Sequence, residues 1–151
     1  MLHLFASLLL LVAPATAKPD PFAGTWVLNV AKSKYDPGPA PRSQTVTYTV
    51  IKGGLSVVAT GVDPQGNPTR IEYTASFNGK AMPVTGNPDY DTVISKRVGP
   101  SRINFTRKKA GKTVQTGSMV VARDGKTRTV TINGSDASGR KIHNVIVYNR
   151  G

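Results

Sequence analysis

The sequence predicts an all-β protein built as a single antiparallel up-and-down β-barrel of about eight to ten strands. Short runs rich in Thr, Val, Ile, Tyr and Phe follow one another along most of the chain, as is typical of strands. Two-residue turn signals separate several of these runs, at Gly53-Gly54, Asn78-Gly79 and Asp124-Gly125. Beyond the first residues, no segment has the 3.6-residue apolar period of a helix, so no significant helix is expected there.

Closure of the sheet follows from the number and order of the strands. About ten short strands joined by hairpin-length connections either split into two sheets or close into a barrel. Closure leaves no exposed edge for another chain to pair with. Apolar residues alternate with polar ones in several runs, for example at Ile71, Tyr73, Ala75 and Phe77, which gives each strand one inward face.

The chain begins with a segment that has the pattern of a signal peptide, expected over residues 1–17. Residues 4–13 are an apolar run, and Ala15 and Ala17 give the small residues of a cleavage site before Lys18. The apolar run is shorter than the roughly 20 residues of a membrane span. We therefore expect an exported protein, periplasmic or extracellular, whose residues 18–151 form one barrel domain without a transmembrane span.

Composition excludes several kinds of chemistry. The chain has no cysteine, which rules out disulfides, thiolate catalysis and Cys-based zinc sites. Its 20 Lys and Arg against 8 Asp and Glu give a net charge of +12. A positive field of this size attracts anions and negatively charged surfaces, and it carries no information about the fold.

The only tryptophan and the segment that follows it have distinct expected roles. Trp26 comes two residues after Gly24, and a large ring beside glycine suits the narrow end of a barrel, where it closes the floor. The prolines at positions 37, 39 and 41 favour an extended connector that crosses the other end.

The Trp26 segment also carries a resemblance to known proteins. Gly24-Thr25-Trp26 is similar to the Gly-x-Trp signature of the first strand of calycins, which include lipocalins, fatty-acid-binding proteins and avidins. The stretches "GTWVLNVAKSKYDPGPAPRS", "EYTASFNGK" and "PVTGNPDYDT" resemble a family of small exported bacterial proteins described as lipocalin-like, whose function is not established. The resemblance implies a barrel that encloses a cavity, with Arg150 packed across Trp26 as in lipocalins.

The chain departs from each calycin group in a way that limits what the resemblance implies. It ends soon after the last predicted strand, without the C-terminal helix of lipocalins. The proline segment replaces the helix pair that fatty-acid-binding proteins have after the first strand. Avidins line their biotin site with several tryptophans, and this chain has one, so biotin is not expected as its ligand.

Catalysis is not expected. His143 is the only histidine after the leader, and Glu72 is the only acidic residue placed within a predicted strand. A hydrolase needs a base with an orienting carboxylate, or two carboxylates at a set separation. A catalytic metal needs about three protein ligands. We therefore predict no enzyme activity, no cofactor and no metal site, unless His143 lies in a cavity beside Glu72.

Basic residues concentrate between positions 96 and 128, with Asp124 as the one acidic residue in that range. Because neighbouring strands of a meander share this range, the residues are expected to form one basic patch. Nucleic acid is not an expected partner, since single-strand binders pair such patches with several stacking aromatics and only Phe105 lies here. The predicted patch comprises Arg97, Arg102, Arg107, Lys108, Lys109, Lys112, Arg123, Lys126 and Arg128.

Two functions remain open from the sequence. The first is non-catalytic binding of a small hydrophobic or amphipathic ligand inside the barrel, with Tyr48, Tyr73, Phe77 and Tyr148 as candidate cavity residues. The second is an envelope or surface protein whose basic face binds an anionic polymer or lipid headgroups. Salt discriminates the two, because binding by exposed charges weakens as ionic strength rises.

Overall fold

The computed structural model describes residues 10–14 and 18–151, and all of its regular structure lies in the second range. Ten strands form one closed antiparallel barrel in which each strand pairs with the next and β1 pairs with β10. The described residues contain no helix, so the predicted fold class is confirmed. The strands are β1 (Gly24–Asp36), β2 (Ser43–Ile51), β3 (Gly54–Val62), β4 (Pro68–Ser76), β5 (Met82–Thr85), β6 (Thr92–Gly99), β7 (Arg102–Lys109), β8 (Lys112–Val121), β9 (Thr127–Ser135) and β10 (Lys141–Arg150).

The expected signal peptide falls mainly outside the described part of the chain, at residues 1–9 and 15–17. Residues 10–14 have no regular structure, and export with cleavage before Lys18 stays a prediction. Within the described ranges, no helix has the length and apolar character needed to cross a bilayer.

The two ends of the barrel differ, and we name them for the rest of the description. The floor is the end at which β1 begins, β10 ends and the turn between β8 and β9 lies. The mouth is the opposite end, where five connections lie: residues 37–42, 63–67, 86–91, 110–111 and 136–140. Backbone hydrogen bonds tie the floor together, from Arg150 to the carbonyl of Lys126 at 2.9 Å and from Gly151 to that of Thr25 at 2.8 Å.

An irregular stretch in β1 lets this strand pair with both of its neighbours. Its first residues pair with β2, and the register with β10 shifts between Asn29 and Lys34. Ser33 stabilises the bulged segment, because its hydroxyl accepts the Val147 N–H at 2.9 Å and donates to the Asn29 carbonyl at 2.7 Å. A bulge of this kind bends the strand and increases its twist, which is what closing the barrel requires.

The hydrophobic core occupies the barrel interior and is densest toward the floor. Phe22, Trp26 and Ile103 are fully buried there, and inward positions alternate with outward ones along each strand. Nearer the mouth, polar side chains such as Gln44 and Gln115 join the inward-facing set. The packed floor and the open interior above it determine where a ligand could fit.

The turn between β7 and β8 consists of two residues that both have positive φ, Ala110 at 49° and Gly111 at 78°. These are the dihedral signs of a type I′ hairpin turn, which favours Asn-Gly because Asn tolerates the left-handed region better than Ala. The Ala110 N–H donates to Asp91 Oδ2 at 3.0 Å, which holds the turn against the neighbouring loop.

Replacing Ala110 with Asn is expected to raise the free energy of unfolding by roughly 0.5–1 kcal/mol, because it relieves the positive-φ cost. Urea denaturation followed by far-UV circular dichroism measures the change. Ala110→Val is the matched control and is expected to lower stability, since a β-branched side chain is disfavoured at positive φ. Equal stability for the Asn and Val variants would contradict the turn assignment.

Candidate functional site

Trp26 and Arg150 close the floor of the barrel. The indole is fully buried, and its N–H donates to the Phe22 carbonyl at 2.9 Å. The Arg150 guanidinium lies 4.2 Å from the centre of the Trp26 ring, within the range of a cation–π contact. Every nitrogen of that guanidinium has a backbone partner at 2.7–2.8 Å, namely the carbonyls of Pro21, Ala23 and Gly125.

Gly24 is required where Arg150 crosses the first strand. Its φ of +114° is a conformation that residues with a side chain rarely adopt, and an added Cβ would lie 3.0 Å from Arg150 Nη1. The structure thus places the three residues predicted for the floor, Gly24, Trp26 and Arg150, in one contiguous arrangement.

Above Trp26 the barrel contains a cavity of about 190 Å³ that opens toward the mouth. All five tyrosines of the chain line it: Tyr35, Tyr48, Tyr73, Tyr90 and Tyr148. The remaining wall is mostly aliphatic, while Gln44, Asn87, Asp89, Gln115 and Asn144 add polar groups. The cavity therefore combines an apolar wall with many hydrogen-bonding groups.

Three of the four aromatic residues predicted for the cavity line it, and the fourth lies elsewhere. Tyr48, Tyr73 and Tyr148 are in the wall, whereas Phe77 is not among the lining residues. Phe77 follows the last residue of β4 at the floor, where its ring lies 5.4 Å from the Arg97 guanidinium. The alternation of β4 includes Phe77 in the inward face, but β4 runs from the mouth to the floor, so Phe77 lies beyond the cavity that Ile71 and Tyr73 line.

Arg128 is the least expected residue of the site. Its side chain is fully buried, with 2% of the residue exposed, and it lines the cavity. The guanidinium lies 4.3 Å from the ring centre of Tyr148, 4.8 Å from that of Tyr48 and 5.6 Å from that of Trp26. Three aromatic faces thus surround one buried cation.

The polar contacts of Arg128 are few for a buried cation. Its Nη1 donates to the Tyr48 hydroxyl and to the Met119 sulfur at 3.7 Å, and its Nε has no hydrogen-bond partner. All eight acidic residues lie within the described ranges, and the ion pairs found there involve other arginines. Arg128 is therefore a buried charge without a counter-ion in the part of the chain that the structure describes.

Arg107 supplies a second cation to the cavity wall, nearer the mouth. It lies 4.3 Å from the ring centre of Phe105 and 4.5 Å from that of Tyr90. Its Nη1 donates to Gln115 Oε1 at 3.1 Å, and the Gln115 amide donates to the Ser135 carbonyl at 3.1 Å. Arg107 is half-buried, and its hydrogen bond to Gln115 on the neighbouring strand β8 fixes its orientation toward the cavity.

Arg97 also turns inward, but it lies at the floor. It forms a two-pronged ion pair with Asp20, at 2.6 Å and 2.8 Å, and its guanidinium lies 5.3 Å from the Phe22 ring centre. The pair joins the segment before β1 to the barrel floor. The hydrogen bond from Arg97 holds the pKa of Asp20 below its ordinary value, with further help from the Phe22 N–H.

These placements correct the expectation of a single basic patch. Arg97, Arg107 and Arg128 occupy inward positions of β6, β7 and β9, where they continue the alternation of Val93, Phe105 and Val130. The other six residues divide between the two ends of the barrel. Lys108, Lys109 and Lys112 lie at the mouth, and Arg102, Arg123 and Lys126 lie at the floor.

Neither predicted component of a catalytic site lies in the cavity wall. His143 is exposed on β10, where its Nδ1 is 2.5 Å from Asn133 Oδ1. Glu72 is exposed on β4 and pairs with Arg70 at 2.5 Å. Among the described residues, no three His, Asp or Glu side chains come together as a metal site.

Burial raises the pKa of four of the five tyrosines. The pKa of Tyr148 rises to about 12, although the positive charge of Arg128 opposes the rise. Burial likewise raises the pKa values of Tyr35, Tyr73 and Tyr90. These hydroxyls stay protonated at neutral pH, so the tyrosines add no negative charge to the cavity.

The chain was compared with known families, curated proteins and solved structures. No known protein family and no curated protein matches the chain. Among solved structures, the chain is similar to EF1p2_mFAP2b bound to DFHBI, with a TM-score of 0.47 and 12% sequence identity over 87% of this chain and 94% of that chain.

The Asp20–Arg97 pair predicts a specific acid sensitivity. The folded pKa of Asp20 lies below its unfolded value of 3.8, so its stabilising effect is present above that value and is lost as pH falls through the folded pKa. Asp20→Asn is expected to lower the free energy of unfolding by about 1–2 kcal/mol at pH 7, and by progressively less below pH 4. Urea unfolding at several pH values measures this difference.

The control for this experiment is Glu72→Gln, which removes an exposed ion pair of small expected value. A difference between wild type and Asp20→Asn that stays constant down to pH 2 would show that the carboxylate is not what stabilises the floor.

The tyrosines predict an alkaline limit to stability. Because their folded pKa values exceed the unfolded value of 10.0, the unfolded state loses protons first and stability falls as pH rises above about 10. Absorbance near 295 nm, which follows tyrosinate, should therefore rise together with loss of the folded signal. In denaturant the same titration should show one midpoint near 10. Full ionisation below pH 10.5 in the folded protein would contradict burial of the hydroxyls.

Proposed function

We propose that the protein binds a small hydrophobic or amphipathic molecule inside its barrel, without catalysing a reaction, after export from the cytoplasm. The observation that supports this function is the cavity above Trp26, with its volume of about 190 Å³ and its mixed wall. Binding pockets for small molecules are typically concave and mostly apolar, with a few polar groups that orient the ligand.

The apolar part of the wall supplies the affinity in this proposal. Burying apolar surface contributes roughly 25 cal/mol per Å², and a rigid site adds little ordering cost on binding. The wall is rigid because most of its residues lie on strands that pair without a break around the barrel. Its aliphatic members are Val46, Val57, Ala59, Ile71, Val130, Ile132, Ile142 and Ile146.

The polar part of the wall supplies orientation. The Tyr148 hydroxyl donates to Gln44 Oε1 at 2.5 Å, so it is already positioned, while Asn87, Asp89 and Asn144 lie toward the mouth. Because the floor is closed by Trp26, a ligand enters from the mouth. A ligand with one apolar and one polar end would match both regions of the wall.

The exposed cations favour a second function, binding of an anionic envelope polymer or lipid headgroups at the surface. Lys108, Lys109 and Lys112 form a cluster at the β7–β8 turn. Arg102, Arg123 and Lys126 lie at the other end of strands that span about 30 Å. Each end of the barrel therefore carries three cations of the predicted patch. The contiguous basic surface available to an anionic polymer is smaller than the nine-residue patch that the sequence predicted.

Filling the cavity should abolish binding. Ala59 lies in the wall, and Ala59→Phe is expected to weaken the binding of p-cresol, a small amphipathic probe, at least tenfold by occupying its space. The shift of the Trp26 indole N–H signal in NMR measures binding, since the chain has only one tryptophan. Raising salt from 50 to 500 mM should leave this affinity nearly unchanged.

Thr60→Phe is the matched control, because Thr60 is the next residue on β3 and faces outward. It should bind p-cresol like wild type. Equal weakening by both substitutions, or the absence of saturable binding to wild type, would argue against a ligand site in the barrel. Thermal unfolding of both variants shows whether the added ring has cost stability, which overpacking does by typically 1–3 kcal/mol.

A further inference from the structure

The state of Arg128 bears on the chemical class of the ligand. A buried charge without a partner is costly, and proteins ordinarily pair such charges or satisfy them with hydrogen bonds. Arg128 has the Tyr48 hydroxyl and the Met119 sulfur as acceptors, while its Nε has none. The aromatic rings of Tyr48, Tyr148 and Trp26 offset part of the cost through cation–π contacts, but they supply no opposite charge.

Closing the floor does not account for Arg128. Arg150 already covers Trp26 at 4.2 Å and has all of its nitrogens bonded to carbonyls. Arg128 lies farther from the same ring, at 5.6 Å, and it faces the cavity. An aliphatic side chain at position 128 would fill the same space without the cost of a buried charge.

The charges around the cavity add up to a net positive interior. Its basic and acidic lining residues are Arg107, Arg128 and Asp89, two basic and one acidic. Asp89 lies near the mouth, where its carboxylate accepts the Ala137 N–H at 2.9 Å, and it pairs with neither arginine. One negative charge on a bound ligand would neutralise the net positive charge of these three side chains.

The size of the cavity limits the rest of the ligand. An apolar cavity of about 150 Å³ accommodates benzene, whereas drug-sized ligands occupy about 300–1,000 Å³. At about 190 Å³, the interior has room for one ring with a short substituent. The polar groups at the mouth, Asn87, Asp89 and Asn144, disfavour a long apolar chain that extends outward.

We infer that the ligand is a small organic monoanion of about one ring, such as an aromatic carboxylate, whose anionic group lies against Arg128 beside the Tyr48 hydroxyl. The inference rests on the proposed function, since it assigns the ligand class for the same cavity. Arg107 is the lesser contributor, because it is half-buried and already bonded to Gln115. The ring of the ligand occupies the aliphatic region between the two arginines.

The direct test compares two probes of nearly equal shape, benzoate and neutral benzamide. Isothermal titration calorimetry and quenching of Trp26 fluorescence report binding to the purified protein. Benzoate should bind at least about tenfold more tightly than benzamide, as a hydrogen bond to a charged group does relative to a neutral one. Dodecanoate should bind more weakly than benzoate, and chloride at equal ionic strength should not displace benzoate.

Substitutions of single arginines test which of them binds the anionic group of the ligand. Arg128→Met should abolish benzoate binding, Arg128→Lys should retain it at reduced affinity, and Arg107→Met should reduce it less than Arg128→Met does. Arg102→Met is the matched control, since it makes the same change of charge on the exposed surface and should bind like wild type. Without ligand, Arg128→Met should also raise Tm by about 2–5 °C, because it removes an unpaired buried charge.

The outcomes separate this inference from the proposed function. Equal affinity for benzoate and benzamide, with both lost in Ala59→Phe, would overturn the anion inference and leave the cavity function standing. Benzoate binding that survives Ala59→Phe but is lost in Arg102→Met would overturn both. Tighter binding of dodecanoate, or displacement of benzoate by chloride, would overturn the assigned size or the organic nature of the ligand. These comparisons use wild type as well, so they hold even where Arg128→Met fails to fold.

Discussion

The arrangement at the barrel floor, where Trp26 meets two guanidinium groups, is the interaction on which the rest of the structure depends. The exposed Arg150 contacts the ring and donates hydrogen bonds to three backbone carbonyls. It therefore ties the last strand to the segment before the first. Arg128 approaches from the interior and is left with an incomplete set of partners. The same indole therefore closes the barrel and contacts Arg128, which lines the cavity.

Closure of the sheet determines what the interior can contain. Without a free edge, the barrel interior receives every inward position of ten strands. In this chain those positions include three arginines and four of the five tyrosines as well as aliphatic residues. Burial raises the pKa of Tyr35, Tyr73, Tyr90 and Tyr148, and the arginines are the source of the cavity's positive charge. A site of this composition differs from a purely apolar one because its polar groups are fixed by strands and cannot turn away.

A functional consequence follows from where each cation lies. Arg97 is neutralised by Asp20 at the floor, and the exposed lysines and arginines are separated between the two ends. Within the described part of the chain, Arg107 and Arg128 remain inside without an ion pair. Arg128 is the fully buried one of the two, so at that position a ligand would be most shielded from water and an opposite charge would interact most strongly. The net charge of +12 is therefore less informative about function than the position of one buried arginine.

The sequence by itself determined the fold class, the approximate number of strands and the approximate positions of several turns, because strand alternation and glycine-containing turns are local signals. The placement of Trp26 beside Arg150 followed from a resemblance on three residues.

Only the tertiary structure decided which basic residues face inward, since a charged residue at an inward position looks the same as one on the surface until the ends of its strand are known. Arg107 and Arg128 each continue an apolar alternation, at Phe105 and Val130, which is the one signal that could have revealed them. Phe77 shows the converse. Its alternation is correct, but it lies at the floor end of β4, beyond the cavity that Ile71 and Tyr73 line. A local pattern cannot report how deep a residue lies relative to a cavity built from distant strands.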